Sequence, residues 1–584
     1  MKTLIVALNS KYIHSSLAAW YLKESCRNEC GEVKVLEFTI NDSLDSILSG
    51  IYREQPQIAA FSCYIWNIEY VLKLVSCVKK VIKAVKIILG GPEVSYDAQA
   101  FMRGNPSVDY IISGEGENSF RLLLKHLYQS SPGLQEIPGL TFREVGKIIS
   151  NRPEDLMEDL DSIPSPYSDE MLKAVGNRII YFESSRGCPF SCSYCISSTT
   201  RGVRYFSMDR VREDLSKIMG SGARQVKFVD RTFNSNKKRA MEILNFILSN
   251  PGDKNFHFEA AADLFDDEML DMLSRAPKGL IQFEIGIQTT NRRTLEAVNR
   301  LTRMDKVLEN IKKLRAMDNI HVHVDLIAGL PGENYPSFKK SFEDAYGLRP
   351  HKLQLGFLKM LRGSKIRAEA QLYGYEYREY PPYEVLANQS MGFDKLLELK
   401  YVEELVERYY NSGRFSNTLD CLIRHYPGTA FEFYRSFALF GLKTGYFGRS
   451  VSGRDLYTVL LEFAESFTPE EVHRQINDLI KLDFLSSDNS SNLPAGVKRN
   501  NEPNFKERCF EFLKDEENIR FYLPDYVGIP PKQIFKKVRF QVFDHDVTRI
   551  HEDGTMDRSR SVVLFDYGRR DKVTGLYGYK KVDI

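Results

Sequence analysis

Short apolar runs alternate with amphipathic stretches through the first part of the chain. We predict strands over residues 3–8, 33–38, 58–62, 87–91 and 110–114, separated by helices near residues 17–26, 42–52, 68–85 and 96–103. Strands that alternate with helices in this way are typical of a doubly wound parallel sheet. Residues 139–149 are predicted to form a hairpin, and the Pro-rich, acidic residues 151–175 a linker. Residues 1–150 are therefore predicted to form an N-terminal α/β domain.

The alternation continues after the linker. Strands are predicted near residues 179–183, 225–230, 256–261, 280–287, 321–327 and 352–357. Six strand-and-helix units fit a partial (β/α)6 barrel, which is shorter than the closed form of eight units. We assign residues 176–375 to this second domain and expect its site at the carboxyl ends of the strands.

From about residue 380 the pattern changes to that of amphipathic helices. They are predicted over residues 383–399, 403–410, 416–425, 429–444, 455–465 and 468–481. Residues 484–504, rich in Ser, Asn and Asp, are predicted to be a flexible connector, and strands are predicted over residues 536–543 and 561–566. Residues 376–584 are thus a mostly helical C-terminal domain with a small mixed α/β end, and the fold class is α/β.

Two short segments near the C-terminus group histidines with carboxylates. They are Asp544-His545-Asp546 and His551-Glu552-Asp553. Turn and surface roles are the expectation, and metal binding is the alternative.

Composition narrows the class of protein. The 584 residues are 43% hydrophobic and carry a formal net charge of +2, so a multidomain folded protein without a global attraction to nucleic acid or membrane is expected. Six of the nine cysteines are scattered, and no signal peptide or membrane-spanning apolar run is visible. These features favour a reducing, cytoplasmic location without a membrane partner.

Three thiols, those of Cys188, Cys192 and Cys195, follow the predicted strand 179–183. Cysteines this close in sequence serve metal ligation more often than packing. A tetrahedral structural zinc needs four ligands, whereas an iron–sulfur cubane held by three cysteines keeps one iron open for a non-protein ligand. An iron–sulfur cluster is therefore the preferred interpretation. Three buried apolar thiols, or zinc with a fourth ligand elsewhere, are the alternatives.

The spacing Cys-x3-Cys-x2-Cys, with Tyr194 directly before the last cysteine, resembles the cluster motif of the radical S-adenosylmethionine (SAM) enzymes. The resemblance implies a 4Fe–4S cluster whose open iron chelates the amino and carboxylate groups of SAM. It also implies that one electron from the cluster cleaves SAM to a 5′-deoxyadenosyl radical. Tyr194 is expected to lie at the SAM site.

The resemblance extends to polar residues at later strand ends. The expected SAM-binding residues are Asp230, Thr232, Glu259, Gln288, Arg300, Asp325 and Gly329. Gln288 and Asp325 would hold the ribose hydroxyls, and Arg300 would pair with the carboxylate. Glu259 would lie near the amino group, and the Gly329 turn near the adenine. A guanidinium suits a carboxylate, and carboxylates suit vicinal hydroxyls. Structural ion pairing among strand ends is the alternative.

The strand ends of the first domain look like those of the cobalamin-binding domain that precedes the cluster domain in one large branch of radical SAM enzymes. The expected cobalamin-binding residues are Ser10, His14, Ser62, Trp66, Asn67, Gly90, Gly91, Glu93, Gly114 and Glu115. The Asp-x-His-x-x-Gly signature is absent, because Tyr12 and Leu17 replace its aspartate and glycine. This departure suggests cobalamin held without histidine ligation, with His14 as a capping or surface residue. The alternative is that His14 faces the cobalt or the substrate. A plain nucleotide-binding or flavin-binding domain is the alternative.

Together, these resemblances imply a cobalamin-dependent radical SAM enzyme that methylates an unactivated position of a small-molecule substrate. An external electron donor such as a flavodoxin or ferredoxin is expected. A radical cyclase or rearrangement enzyme is one alternative. A cluster-dependent or cobalamin-dependent sensor or electron carrier without turnover is another, although such a protein needs no nucleoside pocket.

Overall fold

The computed structural model describes residues 2–584 except Asn28, Glu154, Arg201, Ser491, Asn501, Glu552 and Asp553. The N-terminal strands are β1 (Lys2–Asn9), β2 (Glu32–Thr39), β3 (Ile58–Ser62), β4 (Lys86–Gly90), β5 (Tyr110–Ile112), β6 (Leu140–Glu144) and β7 (Lys147–Ser150). The helices among them are α1 (Leu17–Ser25), α2 (Leu44–Glu54), α3 (Ile68–Val81), α4 (Pro92–Ser95), α5 (Ala98–Gly104) and α6 (Glu117–Gln129).

The N-terminal sheet has the strand order β2-β1-β3-β4-β5-β6-β7. Its first five strands are parallel, and the β6–β7 hairpin adds two antiparallel strands at one edge. Residues of β1 alternate between the two faces, since Leu4 and Val6 belong to one hydrophobic core and Ile5 and Ala7 to the other. The strand order reverses its direction between β1 and β3, so a ligand is expected beyond the carboxyl ends of these strands.

The second sheet contains six parallel strands in the order β8-β11-β12-β13-β14-β15 and does not close. Its strands are β8 (Ile179–Phe182), β11 (Gln225–Phe228), β12 (Asn255–Glu259), β13 (Ile281–Gln288), β14 (His321–Ala328) and β15 (Lys352–Phe357), and a separate pair is β9 (Ser185–Gly187) with β10 (Val203–Tyr205). The accompanying helices are α7 (Asp169–Val175), α8 (Met208–Met219), α9 (Lys237–Ser249), α10 (Asp267–Ser274), α11 (Arg292–Ala297), α12 (Met304–Ala316), α13 (Tyr335–Gly347) and α14 (Lys365–Ala368). The six predicted barrel strands are all present. Helix α7, however, lies inside the predicted linker.

The C-terminal part is helical and then mixed. It contains the hairpin β16 (Glu376–Tyr377) and β17 (Val385–Ala387), the helices α15 (Phe393–Leu405), α16 (Ser416–His425), α17 (Ala430–Lys443), α18 (Asp455–Glu465), α19 (Glu470–Ser487), α20 (Phe505–Phe512), α21 (Glu516–Tyr522) and α22 (Pro531–Ile534), and the antiparallel sheet β18 (Val538–Phe543), β19 (Ser561–Arg570) and β20 (Tyr577–Val582). A π-helical turn, Val406–Tyr410, continues α15.

Two C-terminal predictions were wrong in detail. The helix predicted over residues 383–399 begins only at Phe393, because β17 pairs with β16 after Pro381 and Pro382, which do not favour a helix. The predicted connector begins too early, since α19 continues to Ser487. Phe484 and Leu485 on α19 are 2% and 0% exposed, and this burial keeps the residues helical.

The helical region packs directly on the barrel and shares its hydrophobic core. Phe342 of α13 lies 5.3 Å from Phe431 of α17 between ring centroids, in an edge-to-face arrangement. The terminal sheet has a smaller core of its own with α20 to α22. In the described part of the chain, no helix combines the length and the apolar character needed to cross a membrane.

Candidate active site at the carboxyl ends of the barrel strands

The loop of the three cysteines starts from a narrow crossing of two strands. Gly187 ends β9, and it has φ +102°. A Cβ at this position would lie 2.2 Å from the carbonyl oxygen of Gly202, which precedes β10. Only glycine fits this conformation and this spacing. The local geometry therefore requires glycine at position 187, directly before Cys188.

The thiols of Cys188, Cys192 and Cys195 line one cavity of about 180 Å³ at the carboxyl ends of the barrel strands. Cys192 is buried, and the other two are half-buried. Among the described residues, three potential metal-ligating atoms of His, Cys, Asp or Glu side chains lie within 4.8 Å of one another only in Glu284, His323 and Asp325. The three sulfurs are thus not all within 4.8 Å of one another, whereas sulfurs around one tetrahedral zinc ion with Zn–S bonds of about 2.3 Å lie about 3.8 Å apart.

Arg300 lies at the centre of the same cavity wall. Its Nη1 lies 3.8 Å from Cys192 Sγ and donates to the Tyr194 hydroxyl at 3.3 Å. Its Nη2 donates to the carbonyl oxygen of Gly286 at 2.5 Å. A fixed guanidinium beside the thiols is suited to binding a carboxylate.

Gln288 ends β13 in a strained conformation with φ +68°, at an irregularity in the pairing of β13 with β14. Its side chain folds back over Gly286, where an added Cβ would lie 2.1 Å from Gln288 Nε2. Strained non-glycine residues persist when the surrounding structure fixes them, and they cluster at functional sites. Gly286 therefore makes room for two cavity side chains, Gln288 and Arg300.

Three buried polar atoms on this wall have no hydrogen-bond partner among the described residues. They are Arg300 Nε, Gln288 Oε1 and Asp325 Oδ1. His323 Nε2 lies 3.0 Å from Asp325 Oδ1 without the geometry of a hydrogen bond. Buried polar groups are nearly always satisfied, so these atoms call for a polar ligand in the cavity. The side chains present thus fit a ligand with a carboxylate and hydroxyl groups, as SAM has.

Two acidic residues of the cavity, Glu259 and Glu284, have pKa values that are shifted in opposite directions. Burial raises the pKa of Glu259 to about 7. Burial also acts to raise the pKa of Glu284, but His257 and Lys227, at 3.0 and 3.1 Å from Glu284 Oε2, hold it below its usual range. Near neutral pH the cavity therefore pairs a permanently charged carboxylate with one that is partly protonated.

Most of the predicted SAM-binding residues line this cavity. They are Tyr194, Thr232, Glu259, Gln288, Arg300 and Asp325. Asp230 does not, because its carboxylate accepts hydrogen bonds from Ser184 and Ser185 and joins the ends of β8 and β11. Gly329 is also outside the wall. Its carbonyl oxygen accepts hydrogen bonds from Tyr375 and Asn388 in the C-terminal region.

Three residues of this region are not among the predicted site residues. Arg231 and Glu284 line the cavity. Glu333 lies behind the cavity wall and is hydrogen-bonded to Thr289, the residue after Gln288. Glu333 is fully buried, accepts hydrogen bonds from Thr289 and Ser341, and has a pKa raised by burial to about 7. Its position in the Gly329-Leu-Pro-Gly-Glu333 turn was the one available signal.

A second cavity of about 270 Å³ lies in the N-terminal domain between the sheet and helices α1 and α6. Ser62, Gly90, Gly91 and Gly114 line it, together with apolar side chains. Gly91 has φ +106°, and a Cβ there would lie 2.6 Å from the carbonyl oxygen of Cys63. A narrow apolar cleft with glycine at its mouth fits the extended tail of a cofactor that passes between sheet and helix.

Aromatic rings lie near the mouth of this cleft. Trp66 is 45% exposed and stacks on Tyr64 with centroids 4.5 Å apart. Asn67 is buried, and its amide donates to the carbonyl oxygens of Leu8 and Ser62. Asn67 thus holds the loop that presents Trp66, whereas Ser10 lies half-buried in the loop after β1. A flat exposed ring at the turning point of the sheet suits a planar ligand.

Three other predicted cobalamin-binding residues contact the rest of the chain. His14 Nδ1 lies 2.7 Å from the Tyr181 hydroxyl on β8, and burial lowers the pKa of His14. Glu93 accepts a hydrogen bond from the Tyr383 hydroxyl at 2.7 Å. Glu115 binds Arg204 of β10 at 2.5 and 3.0 Å. The loops of the N-terminal sheet therefore face the barrel and the C-terminal region.

The first of the two His-carboxylate segments lies in a turn, but the expectation of a surface position holds only for Asp544, because His545 and Asp546 are buried. Asp544 binds Lys498 at 3.0 Å, Asp546 binds Lys581 at 2.7 Å, and His545 is buried against Asp478. In the second segment, Glu552 and Asp553 lie outside the described residues.

Family models match three parts of the chain. The Radical SAM superfamily model matches residues 182–345, the B12 binding domain model residues 3–124, and a model of a protein of unknown function, DUF4080, residues 371–565. These regions correspond to the partial barrel, the N-terminal sheet and most of the C-terminal region.

Relatives and solved structures agree with the family models. An uncharacterized methyltransferase of Pyrococcus horikoshii is 28% identical over 321 residues, which are 54% of this chain and 69% of the relative. The cobalamin-dependent radical SAM methyltransferase TokK of Streptomyces tokunonensis is 26% identical over 346 residues, which are 56% of this chain and 50% of TokK. The chain thus spans only half the length of TokK. The structure of the cobalamin-dependent SAM radical enzyme OxsB with aqua-cobalamin superposes with a TM-score of 0.58 at 15% identity, over 83% of this chain and 84% of that one.

The fold and the site define a protein with two cofactor domains, an N-terminal parallel sheet and a partial barrel with three cysteines at its mouth. The chain joins a region that matches the Radical SAM superfamily model to a preceding region that matches the B12 binding domain model. The predicted fold class is confirmed. The predicted cofactors are confirmed too, because the first domain implies cobalamin and the second a 4Fe–4S cluster with SAM.

Proposed function

We propose that this protein is a cobalamin-dependent radical SAM enzyme that transfers a methyl group to a small-molecule substrate. The observation that carries the proposal is the single cavity in which three thiols and three unpartnered polar atoms of the described residues meet. A pure electron carrier has no need of these polar atoms beside its cluster. Relatives named as methyltransferases add support for methyl transfer over cyclisation.

The proposal gives the residues of the chain defined roles. Cys188, Cys192 and Cys195 ligate the cluster, which supplies one electron for the cleavage of SAM, while cobalamin supplies the methyl group. Arg300 binds the SAM carboxylate and keeps it beside Cys192.

The remaining cavity residues hold the rest of SAM in this proposal. Gln288 and Asp325 accept hydrogen bonds from the ribose hydroxyls, and Glu259 lies near the amino group. Because Glu259 has a pKa near 7, its charge is available to an ammonium group once that group is bound. Thr232 contacts the cluster loop, with its hydroxyl 3.7 Å from Cys188 Sγ.

The N-terminal cleft takes the cobalamin tail in this proposal, with Ser62, Gly90, Gly91 and Gly114 along its wall. Trp66 supports the planar part of the cofactor. The Tyr181 hydroxyl is hydrogen-bonded to His14 Nδ1 and fixes the His14 ring. The absorption spectrum of the bound cobalamin tests whether His14 ligates the cobalt. A flavodoxin-like or ferredoxin-like protein supplies the electron, and the free thiols along the chain suit a reducing compartment such as the cytoplasm.

The test uses protein reconstituted with iron, sulfide and cobalamin. With dithionite and SAM it is expected to release 5′-deoxyadenosine, and SAM with a labelled methyl group is expected to label the bound cobalamin. A Cys192→Ala variant serves as the control and should give no 5′-deoxyadenosine. Release of 5′-deoxyadenosine without labelled cobalamin would favour a cyclase or rearrangement enzyme. The absence of both products would contradict the proposal.

A further inference from the structure

A third cavity, of about 220 Å³, lies at the opposite, amino end of the barrel, where the C-terminal region closes it. Arg315 lines it from α12 and Arg349 from the loop after α13, and His321 lines it from the start of β14 and His351 from the residue before β15. The segments Asn411 to Ser416 and Val573 to Leu576 form its outer side. Nothing in the proposed methyl transfer uses this cavity.

The two arginines of this cavity differ in their partners. Arg349 is paired with the Asp420 carboxylate. Arg315 has no carboxylate within 4.0 Å in the part of the chain that the structure describes. Its Nε donates to the carbonyl oxygen of Arg349, and its Nη1 contacts the His351 ring. The neighbouring Asp571 and Asp318 are both paired with Lys278, at 2.9 and 2.8 Å. Within the described residues, Arg315 therefore has no ion pair of its own; burial lowers its pKa, and the charge of Asp318 acts against this shift.

The two imidazoles add hydrogen-bonding groups to this charge. Their rings stack with centroids 5.0 Å apart, and burial lowers the pKa of His321 to about 4 and that of His351 to about 3. His351 Nδ1 accepts a hydrogen bond from the Val322 amide at 3.0 Å, and Arg315 Nη1 contacts both ring nitrogens of His351. His321 Nδ1 is buried and has no partner among the residues that the structure describes. Buried polar groups are nearly always satisfied, so this nitrogen favours a ligand in the cavity, to which it donates when the ring proton is on Nδ1.

We propose that this cavity binds a small oxyanion, the phosphate or carboxylate group of a metabolite, with Arg315 as its counter-ion. The two imidazoles and the guanidinium supply the hydrogen bonds.

The main alternative is a purely structural role, because the amino end of such barrels usually serves stability. A structural arginine at this depth is expected to have a carboxylate partner, as Arg349 has. Arg315 lacks one within 4.0 Å among the described residues. This feature favours a ligand site.

The site also connects to the SAM cavity through one strand. β14 starts at His321, in the oxyanion cavity, and reaches Asp325 in the SAM cavity four residues later. At about 3.3 Å per residue the two ends are roughly 13 Å apart. Oxyanion binding at this cavity does not require methyl transfer at the SAM cavity.

The experiment measures the binding of inorganic phosphate and of acetate by isothermal titration calorimetry, on full-length protein loaded with its cofactors and with chloride at equal ionic strength. We expect saturable binding of at least one probe with a Kd of about 1 mM or tighter. Binding should weaken by about tenfold or more in Arg315→Gln, because a charged hydrogen bond is lost. Lys312→Gln, which removes the same charge from the exposed side of α12, is the matched control and should bind as the wild type does.

Tighter phosphate binding would indicate a phosphorylated ligand, and tighter acetate binding a carboxylate ligand. If neither probe binds saturably, or if Arg315→Gln binds as tightly as Lys312→Gln, the proposal is wrong. If Arg315→Gln does not fold, histidine side-chain NMR of the wild type decides. Resonances of His321 and His351 should then shift with phosphate or acetate while that of His126, far along the sequence in α6, stays constant. The absence of such shifts would overturn the proposal.

Discussion

Arg186 Nη2 donates to Glu117 Oε1 across 2.6 Å, and this ion pair joins the loop of the three cysteines to the N-terminal sheet. Both side chains are only 11% exposed. Arg186 also donates to Glu183 Oε2 at 3.0 Å and lies over the Tyr21 ring at 5.3 Å. The loop that carries the thiols and the loop that follows β5 are thus held in one arrangement by buried charge.

Replacement of Arg186 by Gln should destabilise the protein strongly. Glu117 and Glu183 would remain buried without their cation, and burial already raises the pKa of Glu183 to about 7 despite the Arg186 charge. Breaking a buried ion pair by removing one partner typically costs about 3–5 kcal/mol of unfolding free energy. Guanidinium denaturation followed by circular dichroism measures this loss.

The control for that measurement is Arg212→Gln on α8. Arg212 forms ion pairs with Asp209 and Glu242 at 3.3 Å, but its side chain is 45% exposed. Exposed pairs of this kind contribute about 0–1 kcal/mol. Equal stability of the two variants would mean that the Arg186 network does not hold the domains together.

Gly187→Ala should prevent assembly of the cluster. The alanine Cβ would meet the carbonyl oxygen of Gly202 at 2.2 Å, and φ +102° is strained for any residue with a Cβ. The β9–β10 crossing must then open, which moves Cys188 relative to the other thiols. We expect iron bound after reconstitution to fall to a small fraction of the wild-type value, as measured by iron analysis and the visible absorption of the cluster.

Gly252→Ala, in the connection between α9 and β12, is the matched control for Gly187→Ala. Gly252 has an ordinary φ, and no described atom lies within 4 Å of the point that an alanine Cβ would occupy, so the substitution should leave iron content unchanged. Full iron content in Gly187→Ala would contradict the role assigned to the crossing.

The local pattern of apolar and polar residues predicted much of this architecture. Alternation of Leu4, Ile5, Val6 and Ala7 marks a strand buried on both faces, and the structure places these side chains in two cores. The cysteine spacing likewise placed three thiols after the first barrel strand, because ligands to one cluster must lie close in sequence or in space.

Contacts between distant parts of the chain were beyond sequence reasoning. Asp230 follows a barrel strand, where ligand-binding residues are expected. Ser184 and Ser185, more than forty residues earlier, instead donate hydrogen bonds to its carboxylate. Glu93 similarly meets Tyr383 across 290 residues. One sequence carries no sign of which carboxylate faces a cavity and which faces a serine, since that depends on tertiary packing.

Arg300→Gln should weaken SAM binding while leaving the cluster in place. The guanidinium is the fixed cationic group beside Cys192 and Tyr194, and hydrogen bonds to charged groups contribute about 1.5–3 kcal/mol. That range corresponds to a Kd roughly 10-fold to 150-fold higher. Equilibrium dialysis with labelled SAM on reconstituted protein measures it.

The comparison variant is Arg292→Gln, whose arginine forms an exposed pair with Glu296 on α11. It should bind SAM as the wild type does, and iron analysis should give equal cluster content in both variants. If Arg300→Gln kept the wild-type affinity, the carboxylate of SAM would have to bind elsewhere.

Glu333 should make stability fall as pH rises toward 7. Burial raises its folded pKa to about 7, against about 4.3 when unfolded, so the folded state holds a proton that the unfolded state has released between these values. The stability from this proton is complete below about pH 4.3 and is lost as pH rises through about 7. In Glu333→Gln the amide stays neutral and can still accept the Thr289 hydrogen bond.

The measurable quantity is the difference in unfolding free energy between Glu333→Gln and wild type at pH 5, 6, 7 and 8. It should shift in favour of the variant by roughly 1 kcal/mol per pH unit from pH 5 to 7 and then level off. Glu213→Gln, which alters an exposed glutamate paired with Lys217, should not reproduce this rise. A difference that stays constant with pH would show that Glu333 is charged in the folded protein, and the wall behind Gln288 would then need a buried cation that the described residues do not place there.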